Sequence, residues 1–198
     1  MSKVWYVSTG GNNNNNGTSW SSPRKTITSA LTSAASGDSI WVKAGTYSEQ
    51  LTLGSGVALL GGFAGTETAE DQRDWSTNTT TVNPGSGSAV TIAASASSAT
   101  RLDGFTLTGG ARAVYVNSGG SPQIAHNVIT NNRRSTNNYS AFTDGAIYVS
   151  SASPTITDNL IARNSYTAGY PSASAIGAGI TLVGAGSALI VNLSLIHI

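Results

Sequence analysis

Residues 156–164 read ITDNLIARN, and two earlier segments align with them: IAHNVITNN at 124–132 and LDGFTLTGG at 102–110. A fourth copy begins at Ile190, so successive copies start 22, 32 and 34 residues apart. A second motif lies between them, as AVYV at 113–116, AIYV at 146–149 and GITL at 179–182. Internal repeats of roughly 20–50 residues are typical of solenoids and propellers.

A unit of 22 residues has room for two or three short strands and none for a helix, which predicts one coil of a β-solenoid. Each strand then pairs in parallel with its equivalent in the next coil, about 4.8 Å away. The repeat predicts inward aliphatic columns and ladders of asparagine amides. The columns are formed by Ile124, Ile129, Ile156 and Ile161, and the ladders by Asn127 over Asn159 and Asn132 over Asn164.

The N-terminal part predicts a cap on this solenoid. After a short strand at 4–7 and an asparagine tract at 12–16, apolar residues recur at helical spacing. We expect a helix over 23–36, with Ser22 as the N-cap, Pro23 at the first helical position and Gly37 after the end. An amphipathic helix can cover the open end of a solenoid.

These residues resemble the right-handed parallel β-helix proteins of the pectin-lyase-like superfamily, whose repeat reads I-x-x-N-x-I-x-x-N. The opening segment and the run LGGFAGTET at 60–68 are similar to bacterial cell-surface or secreted members. The resemblance implies an all-β, right-handed parallel β-helix with a short N-terminal capping helix. We expect one domain over residues 1–192, with the cap and first coil at 4–60 and further coils at 61–192.

The C-terminus departs from the repeat. After Asn192 another x-N-x-I-x-x-N segment is due, but residues 193–198 read LSLIHI and resemble a translated adapter sequence. We therefore expect these residues to be a non-native tail on a β-helix truncated at its C-terminus. An ordinary apolar final strand is the alternative interpretation.

The charge and hydrophobicity of the chain argue against nucleic acid and a membrane span as its partners. Ten Lys and Arg against nine Asp and Glu give a net charge of +1, without the basic patch that nucleic-acid binding needs. No apolar run reaches the length of a membrane span, the chain has no cysteine, and residues 1–6 do not resemble the apolar region of a secretory signal. We expect an extracellular or cell-surface protein, monomeric unless its open C-terminal end self-associates.

The carboxylates do not predict a catalytic centre. Asp103, Asp144 and Asp158 are the candidates, but in the alignment no two of them stack on neighbouring coils. We therefore expect no catalytic residue, no metal ligand and no cofactor, although calcium is possible if the chain is lyase-like. A surface position is the favoured interpretation of His126. A charged loop that keeps a sheet edge soluble is favoured for the acidic segment Glu67, Glu70, Asp71 and Asp74.

The insertions carry the strongest functional signal. The second and third repeats gain about 10 and 12 residues at one corner of the coil, after Asn132 and after Asn164. Insertions at one corner map to loops on one face of a solenoid, and aromatic rings beside arginines can bind sugars. Packing of the rings onto the barrel is the alternative. The candidate substrate-binding residues are Tyr139, Phe142, Tyr166, Tyr170, Arg133, Arg134 and Arg163.

We therefore expect a non-catalytic bacterial surface or secreted protein that contacts polysaccharide, in the manner of a scaffold or adhesin. A pectate-lyase-like polysaccharide lyase or glycoside hydrolase, with its active site partly lost by truncation, is one alternative. A phage tail-spike fragment is another. The fold alone does not choose among them, because one fold hosts many functions.

Overall fold

The computed structural model of the 198-residue chain describes residues 2–136, 142–143, 145–168, 175–176 and 179–196. Within these ranges the strands, numbered β1 to β22 in chain order, form three main sheets with parallel pairing. The chain passes through sheet 1, sheet 2 and sheet 3 in turn and then begins the next coil. The fold is a parallel β-helix, as the repeat predicts.

The strands of each sheet stack along the axis of the β-helix. Sheet 1 contains β1 (Val4–Val7), β2 (Ser39–Lys43), β5 (Ala58–Phe63), β8 (Arg101–Asp103), β11 (Gln123–Ala125), β16 (Thr155–Thr157) and β21 (Leu189–Val191). Sheet 2 contains β3 (Gly45–Tyr47), β6 (Thr80–Val82), β9 (Phe105–Leu107), β12 (Val128–Thr130), β17 (Leu160–Ala162) and β22 (Ser194–Ile196). Sheet 3 contains β4 (Leu51–Leu53), β7 (Ser88–Ile92), β10 (Arg112–Val116), β15 (Ile147–Ser150) and β20 (Ile180–Val183).

The strand register confirms the predicted aliphatic columns. Ile124 is paired with Leu102 in the preceding coil and with Ile156 in the next one, and Ile129 is paired with Ile161. All four isoleucines are buried. Because each sheet has its inner face in a single core, the apolar side chains of successive coils stack directly on one another.

The predicted asparagine ladders are also confirmed. The Asn127 amide donates from Nδ2 to Asn159 Oδ1 at 3.0 Å, and Asn132 makes the same bond to Asn164. Asn127 also accepts the backbone N–H of Phe105 in the preceding coil. The ladders therefore satisfy buried backbone groups at the turns between strands.

The cap differs from the prediction in its limits. The helix α1 spans Ile27–Ser33, and its N-cap is Thr26, whose hydroxyl accepts the N–H of Ser29 at 3.2 Å. Ser22 is therefore not the N-cap and Pro23 is not helical. Ile27 and Ala30 are fully buried, and α1 contacts β1, β2 and β4, so the helix does cover the first coil.

The later start has a clear cause in the backbone. Arg24 forms a parallel bridge with Val7, and its N–H donates to the Tyr6 carbonyl at 2.8 Å. The side chain of Asn13 then accepts the N–H groups of Lys25 and Thr26. Residues 23–25 are thus occupied by sheet pairing and by the asparagine tract, so the helix begins only after them.

The last coil carries exposed apolar side chains. In β21, Leu189, Ile190 and Val191 are between 38% and 53% exposed. The strand β22, which lies in the segment predicted to be a non-native tail, pairs with β17 in sheet 2. No helix in the described part of the chain has the length and apolar character that crossing a bilayer requires.

Candidate functional site

The two insertions lie side by side at the corner between sheet 2 and sheet 3. Two short parallel sheets join them, β13 (Arg133–Thr136) with β18 (Ser165–Ala168) and β14 (Phe142–Thr143) with β19 (Ala175–Ile176). Their common corner is the one that the repeat lengths predict. The described strands of the two insertions therefore form a wall on successive coils.

Some of the predicted binding residues meet at the base of this wall. Arg133 and Arg134 begin β13, and Arg134 is paired in register with Tyr166 of β18. Phe142 lies in β14, where the structure describes its backbone. The predicted residues Tyr139 and Tyr170, like the candidate carboxylate Asp144, lie outside the described residues.

Tyr166 fixes the insertion to the barrel. Its hydroxyl donates to the carbonyl oxygen of Ala111 at 2.9 Å, two coils before its own. The side chain is half-buried. Tyr166 thus crosses the coil that carries Arg134, and its contact matches the packing alternative considered for the aromatic residues.

A groove opens at the base of the wall, which we call the basic groove. It has a volume of ≈ 380 Å³ and is lined by 85–87, 109–111, Asn131, Arg133 and Arg134. The two arginines are the only charged side chains among the described residues that line it. Arg163 is exposed one coil beyond Asn131, at the equivalent position of the same corner. The basic groove therefore favours an anionic ligand.

Glycine allows the turns that line the basic groove to stack closely. A Cβ atom on Gly110 would lie 2.7 Å from the Arg112 carbonyl oxygen and 3.0 Å from that of Gly87. A larger residue at this position would push apart two coils. At Gly110 the groove is therefore lined by closely packed backbone.

A further arginine lies beside the basic groove, and sequence reasoning missed it. Arg112 follows Ala111, and its guanidinium is 5.5 Å from the ring of Tyr115 and 5.1 Å from that of Tyr148. The two tyrosines are register partners with ring centroids 5.6 Å apart. The repeated AVYV and AIYV motifs contained the signal, since in both strands the tyrosine alternates with buried aliphatic residues and therefore lies on the outer face of sheet 3.

A second polar cluster surrounds Asp103 at the corner between sheet 1 and sheet 2. The Asp103 carboxylate is 2% exposed and accepts from Arg73 at 2.7 Å and from Arg101 at 2.8 Å. Burial opposes its ionisation, but the Arg101 hydrogen bond and the Arg73 charge more than offset this, and the pKa of Asp103 lies below its usual value. Asp103 therefore stays ionised and is paired with both arginines.

His126 belongs to this cluster rather than to an independent surface position. Its Nδ1 is 3.3 Å from both Asp103 carboxylate oxygens, and its Nε2 is 4.0 Å from Asp158 on the next coil. The Trp75 ring lies over it, with centroids 4.6 Å apart. The favoured interpretation of a plain surface histidine is therefore incomplete.

The acidic segment contains one carboxylate, that of Glu67, which does not face solvent. Glu67 is buried, and its carboxylate accepts the N–H groups of Ala64, Gly65 and Thr66. Burial opposes ionisation of Glu67, but these backbone hydrogen bonds hold its pKa below the usual value. The prediction of a charged loop that only keeps an edge soluble is thus wrong for Glu67, which shapes its own loop.

The described residues contain no group of three or more histidine or acidic side chains that could hold a metal ion. The alignment places Asp103 and Asp158 out of register, and the structure agrees, since Asp103 is paired with Ala125.

The fold and its corner insertions define this chain as a parallel β-helix protein with a basic groove. A family model described as a protein of unknown function, DUF1565, matches residues 9–188, and the chain belongs to that family. No curated protein and no solved structure matched the chain in the corresponding comparisons.

Proposed function

We propose that this protein is a non-catalytic bacterial surface or secreted β-helix protein, of the pectin-lyase-like type, that contacts acidic polysaccharide. The basic groove carries this proposal. Arg133 and Arg134 line a groove in which they are the only charged side chains among the described residues, and Arg163 continues the same corner. Guanidinium groups bind carboxylates through paired hydrogen bonds, and uronate sugars present carboxylates at regular intervals.

The shape of the molecule supports a polymeric ligand. Successive coils rise by about 4.8 Å, so equivalent corner positions form a row parallel to the axis. Asn131 and Arg163 occupy such equivalent positions, and Arg112 directly follows Ala111, which lines the basic groove. A linear polysaccharide lying along this corner would meet cationic groups on several coils.

A non-catalytic assignment fits the carboxylates. Asp103 is buried and bound by two arginines, so it is not available as an acid or base at the surface. Asp158 is exposed at a neighbouring corner position. Glycoside hydrolysis requires two carboxyl groups on either side of a bound sugar, and Asp103, which is held by two arginines, does not serve as one of them.

Affinity for an oligogalacturonate hexamer, measured by isothermal titration calorimetry, tests the proposal. The double variant Arg133→Gln and Arg134→Gln is expected to bind about tenfold more weakly, because two solvent-accessible charge contacts worth up to about 1 kcal/mol each are lost. The matched control is Lys3→Gln with Lys25→Gln, which removes the same charge from the cap, where both lysines are exposed.

The same titration in higher salt should weaken binding to the unsubstituted protein, because exposed charge pairs are screened. The proposal fails if the hexamer does not bind. It also fails if the arginine and lysine double variants lose affinity equally.

A further inference from the structure

Trp75 presents an aromatic surface at the corner between sheet 1 and sheet 2, away from the basic groove. It belongs to the segment 64–79, which links β5 to β6 and folds over the Asp103 cluster. The side chain is 39% exposed, although it lies against the His126 ring at 4.6 Å and the Arg73 guanidinium at 4.9 Å. An exposed tryptophan that is held in place is a typical platform for a sugar ring.

The inner face of Trp75 is occupied and its outer face is open. Arg73 and His126 both contact the same oxygen of Asp103, at 2.7 and 3.3 Å. Since both groups contact one oxygen atom, they lie too close together to stack on opposite faces of the indole. They support one face, and the exposed area of Trp75 belongs to the other.

The backbone beneath Trp75 is fixed. Asp74 donates its N–H to the Gly62 carbonyl at 2.9 Å, and its carboxylate accepts from the hydroxyls of Ser76 and Thr77. These two hydroxyl bonds lower the pKa of Asp74 to about 2. A Cβ on Gly62 would lie 2.8 Å from the Trp75 backbone, so the segment packs directly onto β5. The platform is therefore preorganised for a ligand.

The charge beside Trp75 is negative. A cavity of ≈ 330 Å³ next to the ring is lined by Glu70, Asp71, Arg73 and Trp75, a volume within the range of small-molecule sites. Arg73 is neutralised by Asp103, and Glu70 pairs with Arg101 at 2.8 Å. Asp71 adds a carboxylate to the cavity, and Asp158 adds another beyond His126. An acidic sugar would be repelled here, whereas a cation would be attracted.

We propose that Trp75 and the adjoining cavity form a second glycan site, which binds a protonated amino sugar. The apolar face of the pyranose lies on the outer face of the indole, and the ammonium group is directed to Asp71. This site goes beyond the acidic-polysaccharide function of the basic groove, because it has the opposite charge preference and lies at a different corner of the coil.

Binding of a fully deacetylated glucosamine hexamer, measured by isothermal titration calorimetry, tests the site. Trp75→Ala is expected to weaken affinity about tenfold, because the stacking surface is lost with no change in charge. Tyr148→Ala is the matched control, since it removes a half-buried ring from sheet 3, and it should leave the affinity within about twofold. Trp75→Phe should restore most of the binding.

Two further measurements separate stacking from general charge attraction. Asp71→Asn should weaken binding about two- to fivefold, as expected for one exposed charge contact, and it should remove part of the salt dependence. The N-acetylated hexamer should bind more weakly than the deacetylated one. Circular dichroism melts of each variant establish that the fold is retained.

The proposal is overturned if the deacetylated hexamer does not bind the unsubstituted protein, or if folded Trp75→Ala binds it as well as Tyr148→Ala does. Equal affinity for the acetylated and deacetylated hexamers also overturns the amino-sugar assignment. None of these results depends on Arg133 or Arg134, so the outcome is distinguishable from failure of the basic groove.

Discussion

Asn127 and Asp103 are both almost fully buried polar residues, but different contacts bury them. The Asn127 side chain lies inside the coil, whereas the Asp103 side chain lies on the outer face of sheet 1 and is covered by another segment. Asn127 is 1% exposed, and its amide bonds repeat one coil further on at Asn159. Asp103 is 2% exposed, but its carboxylate is neutralised by Arg73, which comes from a separate segment and has no equivalent in the neighbouring coil. The contacts that bury Asn127 thus repeat from coil to coil, whereas those that bury Asp103 occur at one coil. We call the first periodic and the second aperiodic.

The difference determines what each region can be used for. A periodic ladder can be extended coil by coil, and substitutions at equivalent rungs should have equivalent effects. The aperiodic cluster joins segments that are distant in sequence, so it can position a unique surface such as that of Trp75. Four predictions test this contrast, and they descend in expected size.

The largest effect is expected from Asp103→Ala. The substitution leaves the Arg73 guanidinium, whose side chain is 6% exposed, without its carboxylate, and an unpaired buried charge costs about 3–5 kcal/mol. Urea unfolding measures the loss. The matched control is Glu70→Ala, which removes an exposed carboxylate from the same network and should cost about 1 kcal/mol or less.

If the two variants lose equal stability, Asp103 is not the centre of the cluster. A sharper form replaces the pair together, as Asp103→Leu with Arg73→Met. Because a buried ion pair is often no better than apolar packing, the double variant should recover most of the stability.

The second prediction concerns the periodic side of the comparison. Asn127→Ala leaves the Phe105 N–H and the Leu102 carbonyl without a side-chain partner inside the coil, which should cost about 2–4 kcal/mol. Asn159→Ala removes the equivalent bonds one coil further on, to the Asn127 N–H and the Ile124 carbonyl, and should cost a similar amount. Urea unfolding is again the measurement.

The exposed Asn14→Ala is the control for the ladder and should change stability by less than about 0.5 kcal/mol. A large difference between the Asn127 and Asn159 variants would contradict the periodic description. It would mean that the environment of each rung, rather than the repeat, sets its energy.

The interior could be predicted from the sequence because the repeat fixes it. Once ITDNLIARN is aligned with IAHNVITNN, Ile124 must stack on Ile156, and the asparagines must form ladders. The common corner of the insertions follows from repeat lengths in the same way. Each of these features needs only one rule, that equivalent residues lie above one another.

The Asp103 cluster could not be predicted from that rule alone. The alignment of the repeats does pair Asp103 with Ala125, which precedes His126. The proximity of Asp103 and His126 could therefore have been predicted. Arg73 and Trp75 belong to a segment inserted between β5 and β6, and no repeat spacing indicates which coil it covers. The start of α1 escaped prediction for a similar reason, because the Arg24 bridge to Val7 is a non-repeating contact.

The third prediction uses acid to weaken the outer cluster selectively. The pKa of Asp103 is depressed in the folded protein, so the unfolded state binds more protons as the pH falls below about 4. The stabilisation that Asp103 provides is therefore complete above that pH and is lost below it, by at most about 1.4 kcal/mol per pH unit.

Urea unfolding at several pH values between 2 and 7 should show a steeper acid loss for the unsubstituted protein than for Asp103→Asn. Asp38, Glu67 and Asp74 also have lowered pKa values, and they contribute the same background to both proteins. Parallel curves for the two proteins would show that Asp103 is not the group that titrates.

The smallest effect is expected where the periodic interior meets the aperiodic surface, at the corner between sheet 2 and the insertions. Gly109, Asn131 and Arg163 occupy equivalent positions there, with φ of 72°, 54° and 56°. This left-handed conformation costs an L residue with a Cβ about 1 kcal/mol, and asparagine tolerates it better than arginine does. Arg163→Gly should therefore stabilise the fold by about 0.5–1 kcal/mol, and Asn131→Gly by less.

Arg163→Ala is the informative control, because it removes the same guanidinium and keeps the Cβ. It should leave the melting temperature unchanged or lower, while Arg163→Gly raises it. If both variants stabilise equally, the gain comes from losing charge next to Arg133 and Arg134 rather than from the backbone. If glycine is the more stable residue at position 163, stability does not account for the native arginine. Contact with the ligand of the basic groove would account for it.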